Sequence, residues 1–325
     1  MFKQAIGPDG PQRKSWKRAL TATVLGAASI AAQALPTTFG NLLVSDVSTG
    51  VLREYTPQGQ LVQSWQVPSP DRNFSDLRDI VQSADGRIHM FNGTFTPWMT
   101  SLSPSDGSMS HLSMDGWSTV NNISYGGIAT LGQYVYVTDM YTYGGEAEGV
   151  VRFDLSNGSA RRFDVAGSPD DLTLGLDGLL YVGGSVYDPI SMSLLRRVTL
   201  QGMNGSDIRG RAVDANGFIY TADWGGRISK FRPDGRLVSS LNTGNSLMDI
   251  DVDASGRIVA GSRFGGVYMT DTNLSNLQSF FLDNQLLSLH VAFTNSNVPE
   301  PASLALAIAG LAAALAVRRR RLAMP

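Results

Sequence analysis

Three aspartates, Asp79, Asp171 and Asp249, each stand seven residues ahead of a glycine, respectively Gly86, Gly178 and Gly256. Carboxylates held at a fixed distance from a turn residue occupy equivalent places in equivalent elements, and they converge if those elements surround an axis. A convergent set can bind a divalent cation through oxygen, and calcium is the ion expected outside the cell. The same aspartates can instead cap strand ends and pair with Arg78, Arg209 and Arg211, as structural ion networks do. Histidine is scarce: His89, His111 and His290 are the only three. A His-rich metal site and His-based acid–base catalysis are therefore poorly supplied. The chain has no cysteine, which excludes a disulfide scaffold, a zinc–thiolate site and a thiol nucleophile. It also carries no P-loop, no Gly-x-Ser-x-Gly elbow and no dinucleotide fingerprint. Trp98, Trp117, Tyr141, Tyr143, Tyr187 and Trp224 are expected in or near long inter-strand loops, where rings either stack on sugar faces or pin their own loops.

Positioning such groups requires a sizeable core, and the chain has 325 residues, 42% of them hydrophobic, with which to build one. The formal charge of −2 hides an asymmetry. Both ends are basic, and the segment between them carries 17 basic against 26 acidic residues once Lys3, Arg13, Lys14, Lys17, Arg18 and Arg318 to Arg321 are set aside with Asp9 and Glu300. An acidic body does not track a phosphate backbone, so nucleic acid is not an expected partner.

The elements that position the aspartates are announced by a repeat. Gly40, Gly86, Gly132, Gly178, Gly217 and Gly256 each precede an aliphatic or aromatic strand, at successive separations of 46, 46, 46, 39 and 39 residues. Each copy reads as four strands. An apolar strand such as Asp79-Ile80-Val81 or Asp249-Ile250-Asp251 enters a turn with hairpin chemistry, such as Asp85-Gly86, Asp177-Gly178 or Asn216-Gly217. A second strand follows and often ends in a polar residue, as at Asp46, Asn92, Asp139 and Asp223. A third alternates apolar and polar residues, as in Ile228-Ser229-Lys230-Phe231, and a fourth follows another turn. Four antiparallel strands per copy form the blade of a β-propeller, which must stack on neighbours around an axis. Once the N-terminal apolar segment is set aside as a signal, only Leu35 to Phe39 precede Gly40, too few for an inner strand, whereas Leu286 to Phe293 are surplus at the other end. The expected fold is all-β: a six-bladed propeller over residues 37–297 in which the C-terminal strand completes blade one and removes an open edge. In that geometry Asp79, Asp171 and Asp249 ring one channel mouth with Arg209 and Arg211. His290 is the one histidine that reaches the channel; His89 and His111 fall on second and fourth strands.

The ends read as addresses. Arg13-Lys14-Ser15-Trp16-Lys17-Arg18, the apolar stretch Ala19 to Ile30 and the small residues Ala31-Ala32-Gln33-Ala34 give residues 1–36 the pattern of a secretory signal with a helical apolar stretch. At the other end, over residues 298–325, Pro299-Glu300-Pro301 precedes an uncharged stretch, Ala302 to Val317, and then Arg318-Arg319-Arg320-Arg321. As a transmembrane helix that stretch would be about 24 Å long, with its arginines kept cytoplasmic at the inner membrane.

This tail closely resembles the PEP-CTERM sorting signal of Gram-negative bacteria. The resemblance implies a temporary inner-membrane anchor, cleavage by an exosortase-type sorting protease and delivery to the surface or extracellular matrix. The repeats resemble NHL or SMP-30-type copies, best seen from Arg211 to Asp223 and from Ile228 to Gly235. SMP-30-type lactonases and streptogramin-lyase-like propellers place their sites near the channel mouth, but a full Glu-Asn-Asn-Asp metal set is not matched here: Gly127 and Gly210 stand where blades three and five would supply ligands. Two functions are therefore expected. One is a non-catalytic surface or matrix propeller that binds exopolysaccharide or protein. The other is a cation-dependent hydrolase or lyase, less favoured because no complete catalytic set is present.

Overall fold

Alternation along a strand sends successive side chains to opposite faces of a sheet, and here both faces are apolar. In β1 (Leu42–Asp46) all five residues are buried. Leu43 packs with Leu77, Ile80 and Met90 on one side, while Leu42 and Val44 pack with Val259 and Val267 on the other. A sheet of this kind needs a neighbour on each face. The computed structural model describes residues 35–68, 77–92, 98–113, 126–139, 149–166, 169, 171–204, 207–282 and 286–294, and they form a six-bladed β-propeller of four-stranded antiparallel sheets.

Blade one contains β1, β2 (Val51–Tyr55) and β3 (Leu61–Gln66), with β24 (Leu289–Phe293) as its innermost strand. Leu42 faces Phe293, Val44 faces Val291 and Asp46 faces Leu289. The other blades are continuous in sequence. Their inner strands are β4 (Leu77–Gln82), β8 (Ile128–Leu131), β12 (Leu172–Leu174), β16 (Ile208–Val213) and β20 (Leu247–Val252). The turn glycines expected from the repeat all adopt positive φ, between 58° at Gly132 and 84° at Gly86, a region where a Cβ is strained. Aspartates brace these turns: Asp214 accepts hydrogen bonds from the amides of Asn216 and Phe218, and Asp253 accepts from those of Ser255 and Arg257.

The core is distributed among the blade interfaces. One cluster joins blades five and six through Tyr220, Ile228, Ile250 and Ile258, and another joins blades three and four through Tyr136, Val150, Leu180 and Tyr187. The cluster between blades six and one, which includes Val259, Val291 and Phe293, completes the circle. Outer strands are wet, as in β19 (Leu237–Asn242), where the residues are exposed or half-buried.

Among the described residues no helix is long and apolar enough to cross a membrane; the expected N-terminal signal and the 302–317 helix lie outside the described residues. Two of the aromatics expected in or near loops stand at strand ends beside them. Trp98 opens β6 (Trp98–Leu102), paired with Asn92, and Tyr187 ends β14 (Ser185–Tyr187). Tyr187 is buried, and its hydroxyl accepts from the Ala166 amide, because the apolar faces of blades three and four recruit the ring. Trp117, Tyr141 and Tyr143 lie outside the described residues.

His89 lies on β5 (Ile88–Asn92), wholly buried, with hydroxyl partners at both nitrogens, Ser101 at 2.8 Å and Ser83 at 3.1 Å. Burial lowers its pKa to about 4, against a smaller opposing pull from Asp85. The unfolded chain therefore takes up a proton that the folded chain refuses. The stabilising contribution is complete above the ordinary value of 6.5 and is lost as pH falls from there toward 4. Between pH 7 and pH 5 this amounts to about 2 kcal/mol. His89→Asn should flatten that part of the stability profile measured by urea unfolding; an unchanged slope would show that other groups set it.

Candidate functional site

The inner strand of each blade turns one edge toward the axis, where its backbone N–H groups have no ladder partner. The inner-strand aspartates answer this need across blade boundaries. Asp79 Oδ1 accepts from its neighbour Ile80 (2.8 Å), and Oδ2 accepts from the Ile128 amide in blade three (2.7 Å). Asp249 does the same with Ile250 (2.7 Å) and with Val291 in blade one (2.8 Å). Asp251 bonds to Val252 and to Phe293, each at 2.8 Å. Two of these carboxylates thus tie the closing strand β24 to blade six.

Glycine at the intervening blades is explained by the same close approach. A methyl group on Gly210 would lie 2.7 Å from both Asp249 Cα and Ile250 N, and one on Gly127 would meet the backbone of Leu172. Neighbouring inner strands touch here, so blades three and five have no room for the side chains that a regular ligand ring would require.

Asp79, Asp171 and Asp249 line the axial channel together with Arg211 and Asp251, around a cavity of about 80 Å³. Burial pushes the Asp79 carboxyl well above its ordinary range, and the charges of Asp249 and Asp171 push it further. Asp249 is raised in the same way by burial and by Asp171. Burial raises Asp251 to about 6. His290 occupies the matching place in blade one, opposite Ser45, between the blades that carry Asp249 and Asp79. Burial lowers its pKa to about 3, assisted by the Arg78 charge, so the imidazole is neutral.

Beyond His290 the channel opens into a mouth of about 210 Å³ whose lining includes Arg78, Arg209, Arg263 and Trp224. The guanidinium carbons of Arg209 and Arg263 lie 4.7 and 5.0 Å from the Trp224 ring centre. No Asp or Glu lines this cavity among the described residues. The ring of ligand candidates thus divides into two zones: Asp79, Asp171, Asp249 and Arg211 in the channel, and Arg209 and His290 at the mouth. Arg263 was not singled out from the sequence, although a signal existed. Ser262-Arg263-Phe264-Gly265-Gly266 follows the second strand of blade six as Asp223-Trp224-Gly225-Gly226 follows that of blade five.

The architecture is that of a six-bladed propeller with a funnel along its axis. Structures of propeller type resemble it at the level of fold. Virginiamycin B lyase from Staphylococcus aureus is similar with a TM-score of 0.53 and 13% identity, over 76% of this chain and 82% of that one. The Pan2 WD40 domain of Neurospora crassa is similar with a TM-score of 0.52 and 11% identity, over 79% and 80%. The search of curated proteins finds no match. Residues 297–321 match the PEP-CTERM protein-sorting motif, which implies export and sorting to the cell surface.

Gly210→Ala should lower stability by roughly 2 kcal/mol or more, because the contact is with backbone and cannot be relieved by a rotamer change. Gly184→Ala is the control, since its added methyl meets only the Val198 carbonyl at 3.4 Å. Urea unfolding of both variants checks this; equal midpoints would contradict the packing described for the inner strands.

Proposed function

We propose that this chain is an exported propeller, sorted through its C-terminal signal, that binds acidic polysaccharide without transforming it. The observation that carries this reading is the mouth of the channel, where arginines border an indole. An indole ring presents an apolar face on which a sugar ring can stack. Guanidinium groups form paired hydrogen bonds with carboxylates in a fork geometry that suits the carboxyl of a uronic acid. Arg263 makes no ion pair among the described residues and is exposed. The site is supported on strands: Arg209 lies within β16, and Trp224 and Arg263 directly follow β17 (Ile219–Asp223) and β21 (Arg257–Ser262).

Delivery to such a polymer follows from the tail. An exosortase-type protease cuts at or near Pro299-Glu300-Pro301 after the 302–317 segment has held the chain at the inner membrane, and Arg318 to Arg321 fix its orientation. A second reading, a cation-dependent hydrolase or lyase, is favoured by the approach of His290 to Asp79 and Asp249. Turnover of a polysaccharide or lactone by the purified chain would replace the binding reading with that one.

Oligogalacturonate, as the acidic probe, should bind the full chain with an affinity that falls as salt rises, while neutral dextran oligomers should not. Arg263→Ala should weaken the acidic probe about tenfold, on the order of one charge-assisted contact. Equal binding of both probes in calorimetry, or no effect of Arg263→Ala, would remove the mouth from consideration. In cells, replacing Pro299-Glu300-Pro301 by alanines should leave the protein in the membrane fraction, and release of that variant at the normal rate would defeat the sorting proposal.

A further inference from the structure

The aspartates of the channel have a structural task as amide acceptors, but that task does not account for His290. Its side chain is nine-tenths buried, and no hydrogen bond joins it to another described residue. Its Nδ1 lies 3.7 Å from Asp249 Oδ2, beyond hydrogen-bond reach. Because the imidazole is neutral, this approach is not an ion pair. A nine-tenths buried imidazole that no protein group bonds has a ring nitrogen free to act as a ligand.

One ligand atom each from Asp79, Asp249 and His290 can be chosen so that all three lie within 4.8 Å of one another. Donors around 2 Å from a common metal are separated by roughly 3 to 4 Å, so the set is nearly closed already. The carboxylates are held as metal ligands commonly are. Each oxygen of Asp79 and Asp249 accepts one backbone N–H, which fixes its orientation and leaves a second lone pair. The three come from blades two, six and one, whose mutual packing makes the site rigid.

We propose that Asp79, Asp249 and His290 hold a divalent first-row transition ion, of which zinc is the representative, with water completing its coordination at the throat of the channel. Neutral imidazole with two carboxylates is a donor set for such an ion. Calcium prefers six to eight oxygens and does not favour a nitrogen donor. The ion supplies the partner that His290 lacks and offsets the charge that Asp79, Asp249 and nearby Asp171 bring into one buried channel. This site extends the cation expected from the three aspartates by exchanging Asp171 for a nitrogen donor, and it stands whether or not the mouth binds polysaccharide.

Cobalt(II) is the probe, because its visible d–d absorption reports inner-sphere nitrogen and oxygen donors. The tag-free full chain in detergent, stripped with EDTA, should take up one equivalent of Co²⁺ with a visible band, lose the band to one equivalent of Zn²⁺ and retain it in excess Ca²⁺. His290→Ala should weaken Co²⁺ binding by roughly a hundredfold, and its circular dichroism in EDTA should match that of the parent, which separates loss of a ligand from loss of the fold. Asp249→Asn is the second variant, read by the same band after circular dichroism has shown that it is folded. Absence of a band in the parent chain, a band unchanged in His290→Ala, or displacement by Ca²⁺ as readily as by Zn²⁺ overturns the proposal; the first result would mean that the carboxylates share protons only. Oligogalacturonate binding that survives such a result leaves the function proposed for the mouth intact.

Discussion

Every blade of this propeller is apolar on both faces, and a sheet of that kind is stable only when both faces are covered. A row of stacked sheets always leaves two faces bare unless the row becomes a ring. The packing of Val259 and Val267 in blade six against Leu42, Val44 and Val291 in blade one is therefore the contact on which the other interfaces depend. It is made by joining the two ends of the body into one sheet, Leu42 opposite Phe293. Loss of that pairing would expose an inner-strand edge and two apolar faces together.

Closure has an electrostatic side. The inner strands surround the axis with backbone N–H groups that lack ladder partners, and the carboxylates of Asp79, Asp249 and Asp251 accept them from the neighbouring blade. Such bonds hold the seams between blades, but they also collect negative charge where water is scarce. The upward displacement of these carboxyls follows from burial first and mutual repulsion second. A channel built in this way favours any positive charge that enters it, and Arg211 already lines it. Structural and ligand-binding roles are thus compatible in the same side chains, since each carboxylate oxygen has two lone pairs and the amides occupy one.

The funnel changes sign along its axis. Carboxylates lie in the channel, and Arg78, Arg209 and Arg263 lie with Trp224 at the mouth. The charges of the outer zone would favour an anionic ligand, and those of the inner zone a cation. The likeness to a lyase and to a WD40 domain, at 13% and 11% identity, establishes a shared architecture and leaves the chemistry to the residues of this chain.

The blade count was legible because it rests on local chemistry. A glycine at Gly86 or Gly217 is required by positive φ within a single turn, and its recurrence counts copies regardless of how they pack. The surplus strand near Leu289 and the missing partner of Leu42 were legible for the same reason, although the observed strand starts three residues after Leu286. The aspartates stood out by their spacing from those turns, and Gly127 and Gly210 stood out as exceptions. What the chain order did not disclose was which groups meet across the seams: the Asp79 carboxylate with the Ile128 amide, Arg263 with the Trp224 ring, His290 with Asp249. Local spacing therefore determined the fold, its copy number and the residues pointing toward the axis. Only the closed ring decided their partners, because it joins the last strand to the first and places His290 between blades whose sequences lie at opposite ends of the body.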